Sequence, residues 1–157
     1  MSNTELPSPG LRPLCELLVE TGELTSIGTT PAGEIRLVPI VGGTFQGAEL
    51  EGRVLGGGAD WQVVRSDGTL EIRAHYLLET VQSERIELRS EGIRAGSPEV
   101  LARLARGELV PPSDYYFRTA IRFNTGAPRL ARLNNLLAVC YGARSRQVVT
   151  LRVFELL

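Results

Sequence analysis

Acid-base chemistry on a small molecule requires a group that moves a proton, donors that steady a developing oxyanion, and a shaped apolar wall. The chain offers a short set of residues for each task. Its single histidine, His75, is the side chain whose ordinary pKa lies nearest neutrality, and Asp60 is a second candidate proton carrier. In the run YYFRTAIRF, Tyr116 and Arg118 could hold an oxyanion, the arginine through its forked donors and the tyrosine through its hydroxyl. The only tryptophan, Trp61, together with Phe117 or Phe123, could form a wall on which a planar ligand stacks. Arg73 and Thr119, on the same strand-like runs, complete the set of candidate substrate contacts. Each has a plain structural reading beside the chemical one: His75 as a solvated residue on a polar strand face, Asp60 as a turn cap, Trp61 as core filler.

Other chemistries find little support. All 17 basic residues are arginine, so there is no lysine for a Schiff base or a phosphate loop. The glycine-rich stretches VGGTFQG and VLGGGADW lack the spacing and following helix of a nucleotide cradle, and in a β chain they mark bulges, bends or close approaches. Cys15 and Cys140 lie far apart without metal-ligand spacing and read as small hydrophobes, so neither a metal site nor a disulfide is expected. With 17 basic against 18 acidic residues the net charge is −1, which creates no field to attract a polyanion or a membrane surface. Neither nucleic acid nor a membrane is expected as a partner. The amino terminus lacks a signal-like pattern and no run of 18 apolar residues occurs, so the chain reads as cytoplasmic.

The elements that must position these residues are mostly strands. At 157 residues the chain has room for one domain. Residues 1–13, rich in Pro, Ser and Gly, read as a flexible amino-terminal arm, and residues 14–157 as the domain. Short β-type runs recur along it, separated by turn residues, and about eight strands is the natural count. Ser66-Asp67-Gly68 predicts a tight hairpin between WQVV and TLEIRAHYLL, because Asp-Gly supplies the positive φ such a turn requires. In the second run Leu70, Ile72, Ala74, Tyr76 and Leu78 alternate with Glu71, Arg73, His75, Leu77 and Glu79, so one face packs and the other is polar. Ser97 to Glu108 instead carries helix signals: a capping serine, Pro98 at the first position, Leu101 and Leu104 at helical spacing and a terminating Gly107. Ala127 to Leu137 could add a further turn or two. The expected fold is mainly β, a single closed or nearly closed antiparallel barrel of about eight strands with one or two short helices, since closure removes exposed edges. Periodicity groups residues by face without saying which face looks inward. If the polar faces look inward, Asp60, His75, Tyr116 and Arg118 converge on one cavity; if they look outward, those residues decorate the surface.

The ordered motifs GG-x-x-x-G, GGGADW, Ala74-His75-Tyr76, YFRT, F-x-TG and Leu133-Asn134, followed by a closing strand, resemble the domain-of-unknown-function 3237 family from about Val38 to Leu157. The resemblance implies a small barrel similar to allene-oxide-cyclase-type barrels, with a central cavity and a tendency to form homo-oligomers. It also implies a setting in aromatic or polyketide metabolism and chemistry on quinone-like intermediates. The family's recurrent polar positions fall on Asp60, Trp61, His75, Tyr116, Arg118 and Thr119. Two departures stand out: His75 occupies a position that is usually arginine, and VQSER lacks the acidic-Gly turn expected after LLET. The leading reading is therefore a small-molecule enzyme working without a metal or other cofactor. It would use barrel acid-base chemistry (isomerisation, cyclisation, hydration or conjugate addition) on an oxygenated cyclic or aromatic metabolite. A non-catalytic barrel that carries such a ligand, and a purely structural oligomerisation module, are the alternatives.

Overall fold

The period-two pattern is expressed as ten antiparallel strands in the computed structural model, which describes residues 4–157. They are β1 (Leu11–Thr21), β2 (Thr25–Thr30), β3 (Gly33–Gln46), β4 (Glu51–Val54), β5 (Gly58–Val64), β6 (Leu70–Thr80), β7 (Arg85–Ala95), β8 (Tyr116–Thr125), β9 (Ala138–Ser145) and β10 (Val148–Leu156). Eight of them close a ring in the order β1-β10-β9-β8-β7-β6-β5-β3, with β3 pairing back onto β1. Of the segment read as an arm, residues 1–3 lie outside the described residues, and β1 begins at Leu11, ahead of the expected boundary.

Two strands stand outside the simple ring. β2 pairs with the first half of β3, and β4 fills the same interval between β3 and β6 that β5 occupies further along. The glycines between β4 and β5 make that split possible. Gly57 has φ +100°, and a Cβ on Gly58 would lie 2.5 Å from the His75 carbonyl oxygen and from the Tyr76 Cβ, so only glycine lets the chain re-enter the wall at this distance.

Helix α1 (Pro98–Ala105) forms as its signals dictate: the Ser97 hydroxyl accepts from the Val100 N–H at 3.2 Å, and Gly107 turns the chain out at φ +77°. The segment Pro128–Asn135 is a 3-10 helix that turns Leu130 and Leu133 into the core. It closes one end of the barrel over Leu17, Leu78, Ile86, Leu88 and Ile121, all fully buried, each contributing about 1.5–3 kcal/mol by leaving water. Arginines strap it down: Arg129 pairs with Glu84 at 2.5 Å, and Arg132 bridges Glu49 at 3.1 Å and Glu155 at 3.0 Å. No helix among the described residues is long and apolar enough to cross a membrane.

Candidate functional site

Toward the opposite end, the inward face of the wall changes from apolar to polar. On β5 the inward positions are Asp60 and Gln62; on β6, Ile72, Ala74 and Tyr76; on β7, Ser90 and Arg94; on β8, Phe117 and Thr119; on β9, Arg144. Small neighbours give the polar side chains room. Asp60 is paired across the ladder with Ala74, and Ala74 in turn with Ser90. Gly142 does the same for Phe117, whose ring lies where a Cβ would be only 2.6 Å away. These residues enclose a cavity of about 60 Å³, or about 610 Å³ when the spaces between lining side chains and the open mouth are counted. The inner volume holds a few water molecules or a thin, flat group.

Asp60 is the carboxyl of this cavity. Its Oδ2 accepts from the Gln62 amide at 2.8 Å and its Oδ1 from the Arg73 backbone N–H at 3.2 Å. Burial lifts its pKa above the ordinary carboxylate value, against the opposing pull of those two hydrogen bonds and of the Arg94 and Arg144 charges. A carboxyl held in this balance suits proton transfer.

Arg94 is the most unusual side chain here. It is 7% exposed, and its Nε is buried without a hydrogen-bond partner among the described residues. Its guanidinium lies 6.0 Å from the centroid of the Phe117 ring. Burial, reinforced by the neighbouring Arg144 charge, lowers its pKa to about 10, so it stays a cation at neutral pH. Around it, Gln62 Oε1, Tyr76 Oη, Arg94 Nε and Thr119 Oγ1 are buried without a hydrogen-bond partner; Thr119 has the Cys140 thiol beside it, a weak partner. Burial pushes the Tyr76 phenol up, so its hydroxyl stays protonated and able to donate. The thiols of Cys15 and Cys140 are pushed up to about 12 and about 11 by burial, which leaves them inert as nucleophiles.

The convergence of Asp60, His75, Tyr116 and Arg118 does not occur. Asp60, Phe117 and Thr119 line the cavity, and Phe123 is buried nearer the plugged end. The others share the opposite strand phase and point outward. The His75 side chain is 56% exposed, with Nε2 2.8 Å from Glu87 Oε2. Trp61 and Tyr116 are exposed, and Arg118 stacks on the outer face of Tyr141 with 3.8 Å to the ring centroid. Arg73 also projects outward and reaches the site only through its backbone N–H. Parity decides this: the apolar residues of β6 and β8 must face the core, and their alternates cannot. Of the residues that the sequence reading missed, Tyr76, Ser90, Arg94 and Arg144 lie on the apolar phase of their strands, whereas Gln62 shares the phase of Asp60, opposite Ala59, Trp61 and Val63. A polar residue interrupting an apolar phase was the available signal.

Comparison with known proteins agrees with this architecture. A UPF0311 protein of Rhodopseudomonas palustris is 39% identical over 136 residues, covering 87% of this chain and 89% of that one. The crystal structure of that conserved protein of unknown function superposes with a TM-score of 0.91 at 35% identity, covering 98% of this chain and all of that one. A β-barrel-like protein of Acinetobacter baumannii is 39% identical with a TM-score of 0.87, covering 99% of this chain and 100% of that one. An enzyme from Penicillium herquei, at 20% identity and a TM-score of 0.74 over 99% of this chain and 100% of that one, shares the fold. The family model described as protein of unknown function (DUF3237) matches residues 9–156, and with the barrel and these relatives in view the chain belongs to that family.

Proposed function

We propose that the barrel admits a small oxygenated molecule through its open end and moves a proton on it through Asp60, catalysing an isomerisation, cyclisation, hydration or conjugate addition. One observation carries this reading. Among the described residues, the buried side-chain polar atoms lacking a partner are those of Gln62, Tyr76, Arg94 and Thr119, and all four residues line the cavity that holds Asp60. Each such atom costs about 1–3 kcal/mol when left unsatisfied. Three of these atoms have no partner within the described residues and the fourth, Thr119 Oγ1, has only the weak Cys140 thiol; a fold serving structure alone would not gather them in one place. A bound ligand with oxygen functions would satisfy them together.

The chemistry follows from the positions. Asp60, with its pKa raised by burial, takes a proton from an acidic C–H or O–H of the ligand and returns it at a neighbouring atom. Tyr76 and Thr119 donate to the oxygen on which negative charge builds, beside the Arg94 charge, in a site too enclosed for bulk water to screen them. Ile72, Phe117 and Leu151 form the apolar wall. That the Penicillium herquei enzyme has the same fold supports a barrel of this kind as a host for chemistry, by analogy of fold.

Proton transfer can be read without knowing the natural substrate. Wild-type protein and Asp60→Asn are incubated in D2O with a panel of cyclic ketones and enones, whose uncatalysed exchange is slow, and deuterium incorporation is followed by NMR beside ligand binding. The wild type exchanges at least one of them, and Asp60→Asn binds it but exchanges at the background rate. Equal exchange by both proteins removes Asp60 from the role; binding without exchange by the wild type favours a carrier.

A further inference from the structure

The cavity's charges point to the kind of molecule it accepts. Three guanidiniums influence one another here: Arg94 and Arg144, which line the cavity, and Arg36 nearby. Arg36 is already paired with Glu34 at 2.9 Å. Arg144 spends its Nε on the Arg146 carbonyl at 3.1 Å, and the Arg94 Nε has no acceptor among the described residues. Setting Arg94 and Arg144 against the carboxylate of Asp60 leaves one positive charge unanswered, in surroundings where an unpaired buried charge is strongly disfavoured. The donor pattern is equally specific. Arg94 offers an Nε–H beside its terminal nitrogens, the fork that matches the two oxygens of a carboxylate. The unpartnered Gln62 oxygen requires the opposite, a hydroxyl or N–H donor. The Phe117 ring, 6.0 Å from the Arg94 guanidinium, and the small interior volume of about 60 Å³ favour a flat body.

We propose that the molecule taken up is a small planar hydroxy-acid whose carboxylate forks onto Arg94 and whose hydroxyl donates to Gln62 Oε1, presenting its ring or conjugated carbons to Asp60. This rests on the cavity being the ligand site and names the ligand class it takes. Arg94 is then the specificity determinant: it admits a monoanion and leaves the uncharged amide of the same shape without a fork to bind.

The test compares 4-hydroxybenzoate, 4-hydroxybenzamide and benzoate by calorimetric titration at neutral pH, with the Arg94 Nε–Hε NMR signal as a direct reporter. The wild type prefers 4-hydroxybenzoate to 4-hydroxybenzamide by at least tenfold, benzoate binds more weakly than 4-hydroxybenzoate, and only the acids shift the Arg94 signal. Arg94→Gln abolishes the acid-over-amide preference. Acid and amide binding alike, with cavity resonances perturbed by both, would overturn the hydroxy-acid assignment and leave the cavity as the ligand site. If no compound perturbs a cavity resonance at millimolar concentration, both the assignment and the reading beneath it fail. The comparison on the wild-type protein decides even if the variant does not fold.

Discussion

Replacing Arg94 with methionine removes a buried cation while keeping an unbranched stem along the Phe117 ring. Arg94 is 7% exposed, and its pKa falls from the ordinary guanidinium value to about 10, with burial the first cause. At 1.36 kcal/mol per pH unit, that fall corresponds to a cost on the order of 3 kcal/mol for keeping the charge inside. The loss of a cation-π contact returns about 0.5–1 kcal/mol of this; the attraction to Asp60 is already contained in the net fall. Arg94→Met is therefore expected to be more stable than the wild type by about 2 kcal/mol in the absence of ligand, a gain of several degrees at roughly 2–4 °C per kcal/mol for a domain of this size. The pH dependence checks the cause. The wild-type pKa is lowered on folding, so below about 10 both the folded and the unfolded chain hold the proton and the penalty is complete. It is relieved as the pH climbs from about 10 toward the ordinary guanidinium value. The stability difference between variant and wild type should thus be flat across neutral pH and shrink in alkali. Urea denaturation at several pH values, with unchanged m-values, measures it. A variant less stable than the wild type by more than about 1 kcal/mol, a typical single-mutation effect, would show that the guanidinium is well satisfied inside the protein and that no anion is needed to complete it.

Two further outcomes follow from the same geometry. Asp60 has its pKa raised on folding, so between its ordinary and raised values the unfolded chain has released a proton that the folded chain keeps, and stability falls as pH rises through that window. Asp60→Asn abolishes this dependence, so its stability relative to wild type should increase from acid to neutral pH in thermal melts; a constant difference would refute the raised pKa. His75→Ala and Arg118→Ala, both on the outer surface, should each change stability by no more than about 1 kcal/mol and leave ligand affinity unaltered. A tenfold loss of affinity in either would move the site out of the cavity.

Much of the wall could be read from the sequence because strand formation and face sharing are local properties. The alternation in β6 assigned Leu70, Ile72, Ala74, Tyr76 and Leu78 to a single face, and those residues do look inward. The Asp67-Gly68 turn and the Ser97 cap were equally legible, since each depends on a few adjacent residues. The site was harder for two reasons. First, whether a polar phase faces solvent or a cavity is decided by ring closure, through pairings such as Glu16 with Gln46 on β1 and β3, and no window of sequence contains that information. Second, Arg94 and Arg144 interrupt apolar phases at their last positions, after Ile86, Leu88 and Ser90 on β7 and after Ala138 and Cys140 on β9. There a polar residue resembles a strand end emerging into water. Asp60 was found because it follows a glycine run, and Trp61 was grouped with it by adjacency although neighbouring strand residues face opposite ways.

The two ends of the barrel divide its evolutionary freedom. The plugged end is a shared apolar mass closed by a segment strapped to several carboxylates, where a change in one side chain is felt by many. At the open end, Gln62, Tyr76, Arg94, Thr119 and Arg144 each come from a different strand, and each can be exchanged without disturbing the pairing of its neighbours. A lineage with this architecture can retune its ligand one side chain at a time while the closed end preserves the fold. The open end of the barrel, more than its overall sequence identity, is then where relatives with different chemistries should diverge.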